Sequence, residues 1–335
     1  MSHSTQEDSK ELSSVVQPGS ALQGSLPKQL PGKLTKPKKP TTQGTYSDIY
    51  RGSLEWNGTE VIVCIKELRK CNLDRCDNPD VTSVEDRFER RIKRETIIWA
   101  AANHPNILQF FGYQMDEGSP MLISPWARNG NLAAYLKHND VPKEKKLKML
   151  QDANAGLAYL HSWEPPVAHG DLKPENILVL DDDMTTALCD FGTSRVVVDL
   201  GIHTGMTTSG TAAGTAAYQA RELISGESRP TPASDIYAMA GVILATLSGK
   251  VPFYNKSAQS AILLAISLGS ICEAQHHPEL PAYDPLWPFL RQCWMPDPSQ
   301  RPTVDQVMNQ LQLAVERARE PPPPYAGGGI EGQST

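Results

Sequence analysis

At 335 residues, with 39% hydrophobic and 21% charged residues, the chain has the makings of a soluble globular protein with one large domain or two modest ones. A net charge of −6 excludes bulk attraction to nucleic acid or anionic lipid. The longest apolar run, "IYAMAGVILATL", is broken by Gly241 and falls short of the ~18–20 residues a membrane span needs, so it reads as a buried helix.

In chain order, residues 1–40 are Ser, Gln, Pro, Gly and Lys without a repeated apolar pattern, and are expected to form a disordered N-terminal tail. The opening "MSHSTQEDSK" lacks a basic start and apolar stretch, so no secretory signal is read there. The stretch "YSDIYRGSLEWNGTEVIVCIK" predicts two strands joined at Asn57-Gly58, a strong hairpin signal. An amphipathic helix is expected over about 84–103, and "PNILQFFGYQMDEGSPMLIS" reads as a second strand pair. From about residue 130 helices dominate: "KEKKLKMLQDANAGLAYLHS", "ASDIYAMAGVILATLSG", "SAQSAILLAISLG", "LWPFLRQCW" and "TVDQVMNQLQLAVERA". A small strand-rich part followed by a larger helical one implies an α+β protein of two lobes with a cleft between them. Residues 317–335 form a second tail, containing "PPPPY" (Pro322 to Tyr325), which fits the P-P-x-Y ligand pattern of WW domains. Cysteines 64, 71, 76, 189, 272 and 293 show no CxxC pair; free thiols in a reducing cytosol are expected, and with them a cytoplasmic location. Cys71 and Cys76 alone do not complete a metal site.

Six polar positions carry the chemistry. "VIVCIK" ends in Lys66, "RIKRETIIW" holds Glu95, "HGDLKPENIL" holds Asp171, Lys173 and Asn176, and "CDFG" holds Asp190. In this order and with these neighbours the chain resembles the protein kinases over roughly residues 41–316, with an N-lobe at about 41–126 and a C-lobe at about 127–316. The combination of "HPNIL", "SPWARNGNL", "HGDLK" and "RQCWMPDPSQRPT" is similar to the tyrosine-kinase-like group of serine/threonine kinases, and Lys173 fits the serine/threonine pattern. The resemblance implies ATP and Mg2+ (with Mn2+ as an alternative ion) and transfer of the γ-phosphate to a protein hydroxyl. It also implies roles: Lys66 on the phosphates, held by Glu95; Asp171 as base with Lys173 on the phosphate; Asn176 and Asp190 on metal. Ile49, Cys64 and Leu178 would surround adenine, which would meet the Pro125 carbonyl and the Ala127 amide behind the small gatekeeper Ser124. Phe110, Trp99, Phe191 and His169 would stack in the interior, with His169 structural and not a base. Asp235 of "SDIYAMAGV" would brace the catalytic loop, Arg301 of "RPT" would pair with Glu222, and Thr215 would tie to Asp171 and Lys173. Small-molecule kinases also carry an H-G-D loop, but "DFG", "SDIYAMAGV" and "RPT" argue against them.

Three departures bear on activity. Gly170 stands where the commoner catalytic loop has arginine, which implies different regulation, because that arginine answers to a phosphorylated activation loop. Thr42, Gly44 and Ser47 fall at the three glycine positions of the phosphate loop, so only one glycine remains to let the backbone approach phosphate. Arg221 replaces the proline of A-P-E. The activation segment keeps Thr204, Thr207, Thr208, Ser209 and Thr211 as candidate phosphorylation sites, with Arg195 as a weak phosphate partner. The alternative these departures raise is a catalytically weak pseudokinase serving as a binding or scaffold module.

Overall fold

Asn57 and Gly58 join the two longest strands of the molecule. In the computed structural model, which describes residues 27, 29–44, 47–69, 96–116, 118–196 and 215–319, β3 (Ser47–Trp56) and β4 (Thr59–Leu68) pair antiparallel from Ser47↔Leu68 to Trp56↔Thr59. Asn57 and Gly58 take φ of 48° and 77°, the left-handed pair that matches strand twist in a two-residue turn. Alternation along β4 divides the sheet: Val63 and Ile65 are fully buried on one face, while Cys64 and Lys66 turn to the other.

The second strand pair is β5 (Gly112–Asp116) and β6 (Ser119–Pro125), and β6 also pairs with β4. Sheet order is β1-β3-β4-β6-β5, with β1 (Lys33–Thr35) at the edge and the two-residue β2 (Thr42–Gln43) pairing with β3. The tail expectation for residues 1–40 is therefore corrected at its C-terminal end. Lys33, Leu34 and Thr35 lie opposite Glu55, Leu54 and Ser53, and Leu30 is buried. Pro40 and the lysines around it interrupt the edge between β1 and β2, in keeping with a residue that cannot donate to a ladder. Of the helix expected over 84–103, residues 96–101 are helical and the earlier part lies outside the described residues.

The helical lobe begins with α1 (Leu132–His138), capped by Asn131, whose side chain accepts from the Ala134 amide at 2.9 Å. Next come α2 (Lys143–His161), α3 (Arg221–Ile224) and α4 (Pro232–Ser248). After them follow α5 (Gln259–Ser267), α6 (Leu286–Cys293) and α7 (Val304–Arg319), whose last turn carries the helix through 317–319, where the C-terminal tail was expected to begin. Helix α4 is buried on almost all sides, as its long, largely apolar sequence requires. Thr231 and Ser234 form a capping box at its start, and Gly249 ends it at φ 70°. Among the described helices none is long and apolar enough to cross a membrane. Two small antiparallel pairs, β8 (Ile177–Val179) with β9 (Thr186–Leu188) and β7 (Val167–Ala168) with β10 (Arg195–Val196), carry the loops that face the cleft.

Two lobes thus enclose a cleft. The larger hydrophobic cluster spans the helical lobe and crosses into the sheet lobe through Trp99, Phe110 and Leu122; a second, smaller one lies within the sheet lobe. The rings expected to stack do so: Trp99 and Phe110 centroids are 4.7 Å apart, Trp99 and Phe191 6.2 Å, and His169 and Phe191 5.4 Å.

Candidate active site

Among the described residues, an ion pair bridges the cleft. Lys66 reaches from β4 to Asp190 beyond β9, with Nζ 2.7 Å from Oδ1. The Lys66 ammonium pushes the Asp190 carboxyl down to about 2, against the opposing effect of burial, so it is ionised at neutral pH. Asp190 takes φ 67° and its side chain is 44% exposed, which leaves its second oxygen open to the cleft. Glu95, the expected partner of Lys66, lies outside the described residues.

Asp171, Lys173 and Asn176 meet in the catalytic loop. Lys173 Nζ lies 2.6 Å from Asp171 Oδ2. The Asn176 side-chain amide donates to the Asp171 carbonyl at 2.8 Å and to its Oδ2 at 3.0 Å. Two donors therefore hold Oδ2, and Oδ1 is the oxygen left to meet a hydroxyl. A 3-10 turn, Pro174–Asn176, brings Asn176 back under Asp171, and the Cys189 amide donates to the Asn176 carbonyl at 2.9 Å. With its amide nitrogen spent on Asp171, Asn176 has an oxygen to offer a cation. An amide oxygen with the Asp190 carboxylate is the hard-oxygen donor set that suits Mg2+, so the residues present fit that ion.

The loop is held from beneath by Asp235 of α4, itself 1% exposed. Its Oδ2 accepts from the His169 amide at 2.8 Å and its Oδ1 from the Gly170 amide at 2.9 Å; His161 Nε2 lies 3.0 Å from Oδ2. His169 is built into the scaffold, as expected. Its Nδ1 accepts from the Asp171 amide at 3.3 Å, and its Nε2 faces the Cys189 carbonyl at 3.1 Å. Gly170 sits at φ 82°, and a Cβ there would come within 2.8 Å of the Thr193 carbonyl oxygen. Further down, Arg301 forks onto Glu222 through two bonds of 2.7 and 2.8 Å and also donates to the Ala233 and Met295 carbonyls. The pair anchors α3, whose first residue, Arg221, is exposed.

The nucleotide side of the cleft is less fully described. Gly44 donates to the Ser47 carbonyl at 2.8 Å, closing a turn whose inner residues, Thr45 and Tyr46, lie outside the described residues. A Cβ on Gly44 would meet that carbonyl oxygen at 2.9 Å, so the one surviving glycine stands where the turn is tightest. Ile49 is the register partner of Lys66, and Cys64 that of Ser124. Burial pushes the Cys64 thiol up, and the same cause raises Cys189, which precedes Asp190. Ser124 is buried and β6 ends at Pro125; Ala127 then begins a turn closed by the Gly130 amide at 3.2 Å. Leu178 sits half-buried on β8 across the cleft. The activation-segment threonines and Ser209, and the side chains of Arg195 and Thr215, lie outside the described residues, as do Cys71, Cys76 and Pro322 to Tyr325. Sequence reasoning did not single out His161, which a histidine at a helix end gives no cause to choose.

A two-lobed fold with a lysine–aspartate bridge over a clamped Asp171 defines a class, and comparison with known proteins agrees. The protein kinase domain model matches residues 38–312, and the chain belongs to that family. It is 30% identical over 281 residues to the serine/threonine-protein kinase SSK22 of Saccharomyces cerevisiae, covering 79% of this chain and 20% of that protein. It is 29% identical over 303 residues to mitogen-activated protein kinase kinase kinase 10 of Mus musculus, covering 88% and 29%. The probable serine/threonine-protein kinase drkD of Dictyostelium discoideum is 28% identical over 270 residues, covering 79% and 19%. The chain thus spans less than a third of the length of these relatives.

Proposed function

We propose that this chain is an ATP- and Mg2+-dependent serine/threonine protein kinase of the tyrosine-kinase-like group, acting in intracellular signalling. The observation that carries the reading is the Lys66–Asp190 bridge, 2.7 Å long, over a catalytic loop in which Lys173 and Asn176 both hold Asp171 Oδ2. In this reading Asp171 Oδ1 orients the incoming hydroxyl and receives its proton as the phosphoryl group departs from ATP. Lys173, beside that carboxylate, offers its ammonium to the transferring phosphoryl oxygens, and Lys66 offers its own to the phosphates behind. Asn176 and Asp190 would hold Mg2+, which when bound neutralises phosphate charge. Gly44 and Ser47 cover the phosphates with backbone; Ile49, Cys64 and Leu178 enclose adenine, whose edge bonds to the Pro125 carbonyl and the Ala127 amide.

Gly170 does not oppose activity, since every polar contact around Asp171 is made without a side chain there. The tail at Pro322 to Tyr325 supplies a WW-domain ligand, and a cytoplasmic setting suits the free thiols described at Cys64, Cys189, Cys272 and Cys293. The test is transfer of labelled γ-phosphate to the protein and to a basic generic substrate, followed by identification of the labelled amino acid. Phosphoserine and phosphothreonine are expected; label on tyrosine alone refutes the assignment, and no label with either Mg2+ or Mn2+ turns the reading to a scaffold.

A further inference from the structure

Residues 29–36 lie wholly before the matched family region, 38–312, yet they tie together both edges of the sheet that carries Lys66. Gln29 bridges in parallel to Tyr113 of β5, and the Leu30 amide donates to the Tyr113 carbonyl at 2.8 Å. The Gln114 side chain donates to the carbonyls of Leu30 at 3.0 Å and Gly32 at 3.1 Å. Lys33 is already paired with Glu55 of β3, at the opposite end of the strand order. Four residue steps reach at most about 14 Å. In a flat sheet the five strand spacings from Lys33 on β1 to Gln29 beyond β5 would span roughly 24 Å. The sheet must therefore curl until its edges approach, and the segment closes the seam.

What it closes over is apolar. Leu30 is 5% exposed and packs with Tyr50, Leu54, Val63, Ile65, Phe111 and Ile123. A Cβ on Gly112, at φ 146°, would come within 2.6 Å of Leu30 Cγ, so the glycine makes room for this one side chain. The far end is latched by Lys36, whose Nζ lies 2.9 Å from both Glu67 and Asp116. Glu67 directly follows Lys66, and Val63 and Ile65 alternate along β4 with the cleft-facing Cys64 and Lys66.

We propose that the seam of this curled sheet is a groove for one extended peptide segment carrying a buried leucine and a trailing lysine. Its occupant is the chain's own residues 29–36, and docking of that strap sets the affinity of the cleft for nucleotide. With the strap seated, β4 is backed by a closed apolar core and Lys66 is held for phosphate; with it released, the seam opens behind Lys66. The anchorage suits a switch. Leu30 is the one fully buried side chain, with Leu34 half-buried against the same cluster; the paired strand is three residues long and the latch is partly exposed, so a partner engaging the preceding residues could pull the strap free.

The proposal rests on the kinase reading, and its test separates the two. Binding of a fluorescent ATP analogue with Mg2+ is measured for the full chain and for Leu30→Asp and Lys36→Ala in the full chain, with a synthetic peptide of residues 29–37 added to each. Leu30→Asp is expected to weaken binding at least fivefold and Lys36→Ala two- to threefold, and the peptide to restore most of the loss in Leu30→Asp. Wild-type binding with both variants within 1.5-fold of it overturns the strap alone. So does a weakened Leu30→Asp that saturating peptide leaves unchanged, since that is a core defect and not an empty groove. If Leu30→Asp fails to fold, Lys36→Ala, which leaves the core intact, decides. A wild type that binds no nucleotide overturns the kinase reading as well.

Discussion

Replacing Asp235 by asparagine changes one atom of a residue that never faces the cleft, yet both carboxylate oxygens are in use beneath the catalytic loop. Oδ2 accepts from the His169 amide and lies 3.0 Å from His161 Nε2, and Oδ1 accepts from the Gly170 amide. Asparagine has a single acceptor oxygen. Its better placement keeps the Oδ2 contacts and turns the NH2 toward the Gly170 amide, so two donors face each other in a buried site. Leaving one buried amide unsatisfied costs about 1–3 kcal/mol. At ~2–4 °C per kcal/mol for a domain approaching this size, the melting temperature should fall by ~2–12 °C. The larger effect is on rate, because Gly170 immediately precedes Asp171 and a displacement on the order of 1 Å at the reacting group costs roughly 100-fold. The assay pairs a thermal melt with phosphate transfer at varied ATP. The expected result is a large loss of kcat with KM for ATP within about twofold, since Asp235 does not touch the Lys66–Asp190 bridge. An Asn variant with the wild-type melting temperature and kcat would refute the reasoning.

Gly170→Arg, which restores the residue commoner at this place, should lower stability by roughly 2–4 kcal/mol and bring no gain in activity. The cause is the left-handed φ of 82° together with the Cβ approach to Thr193, and chemical denaturation checks it. Arg301→Met leaves Glu222 buried without its fork and should cost about 3–5 kcal/mol, read from the same denaturation curves. His277 is 1% exposed, and burial pushes its imidazole down to about 4. A histidine with a depressed folded value contributes stability that is present above about 6.5 and lost as pH falls toward 4, because the unfolded chain takes up the proton first. Melts should therefore fall between pH 6.5 and 4 by up to about 3 kcal/mol, and a His277→Gln variant should show a shallower slope. Ser124→Phe should fill the space behind the hinge and abolish inhibition by bulky adenine analogues that act on the wild type, an inhibitor titration deciding it.

The site was more legible than its frame. Lys66, Asp171, Lys173, Asn176 and Asp190 stand in motifs whose neighbours fix them, and the fold brings all five to one cleft. The Asn57-Gly58 turn was equally plain, because its conformation is dictated by the two residues themselves. The strap was not. Its hold depends on a single leucine, three edge residues and a glycine some 80 positions away, none of which makes a local pattern. Nor was α1 foreseen: its seven residues begin at an Asn131 cap that looks like loop composition until the Ala134 amide is seen to bond to it. Asp235 could be named from its motif, but its division of two oxygens between two amides belongs to three-dimensional placement alone.

The most direct test of the central claim compares wild type with Asp171→Asn and Asp190→Asn, measuring both nucleotide binding and γ-phosphate transfer in Mg2+. The account predicts transfer by wild type, nucleotide binding without appreciable transfer by Asp171→Asn, and loss of Mg2+-dependent binding with transfer in Asp190→Asn. Transfer by Asp171→Asn at the wild-type rate, or a wild type that binds nucleotide and never transfers, would contradict it.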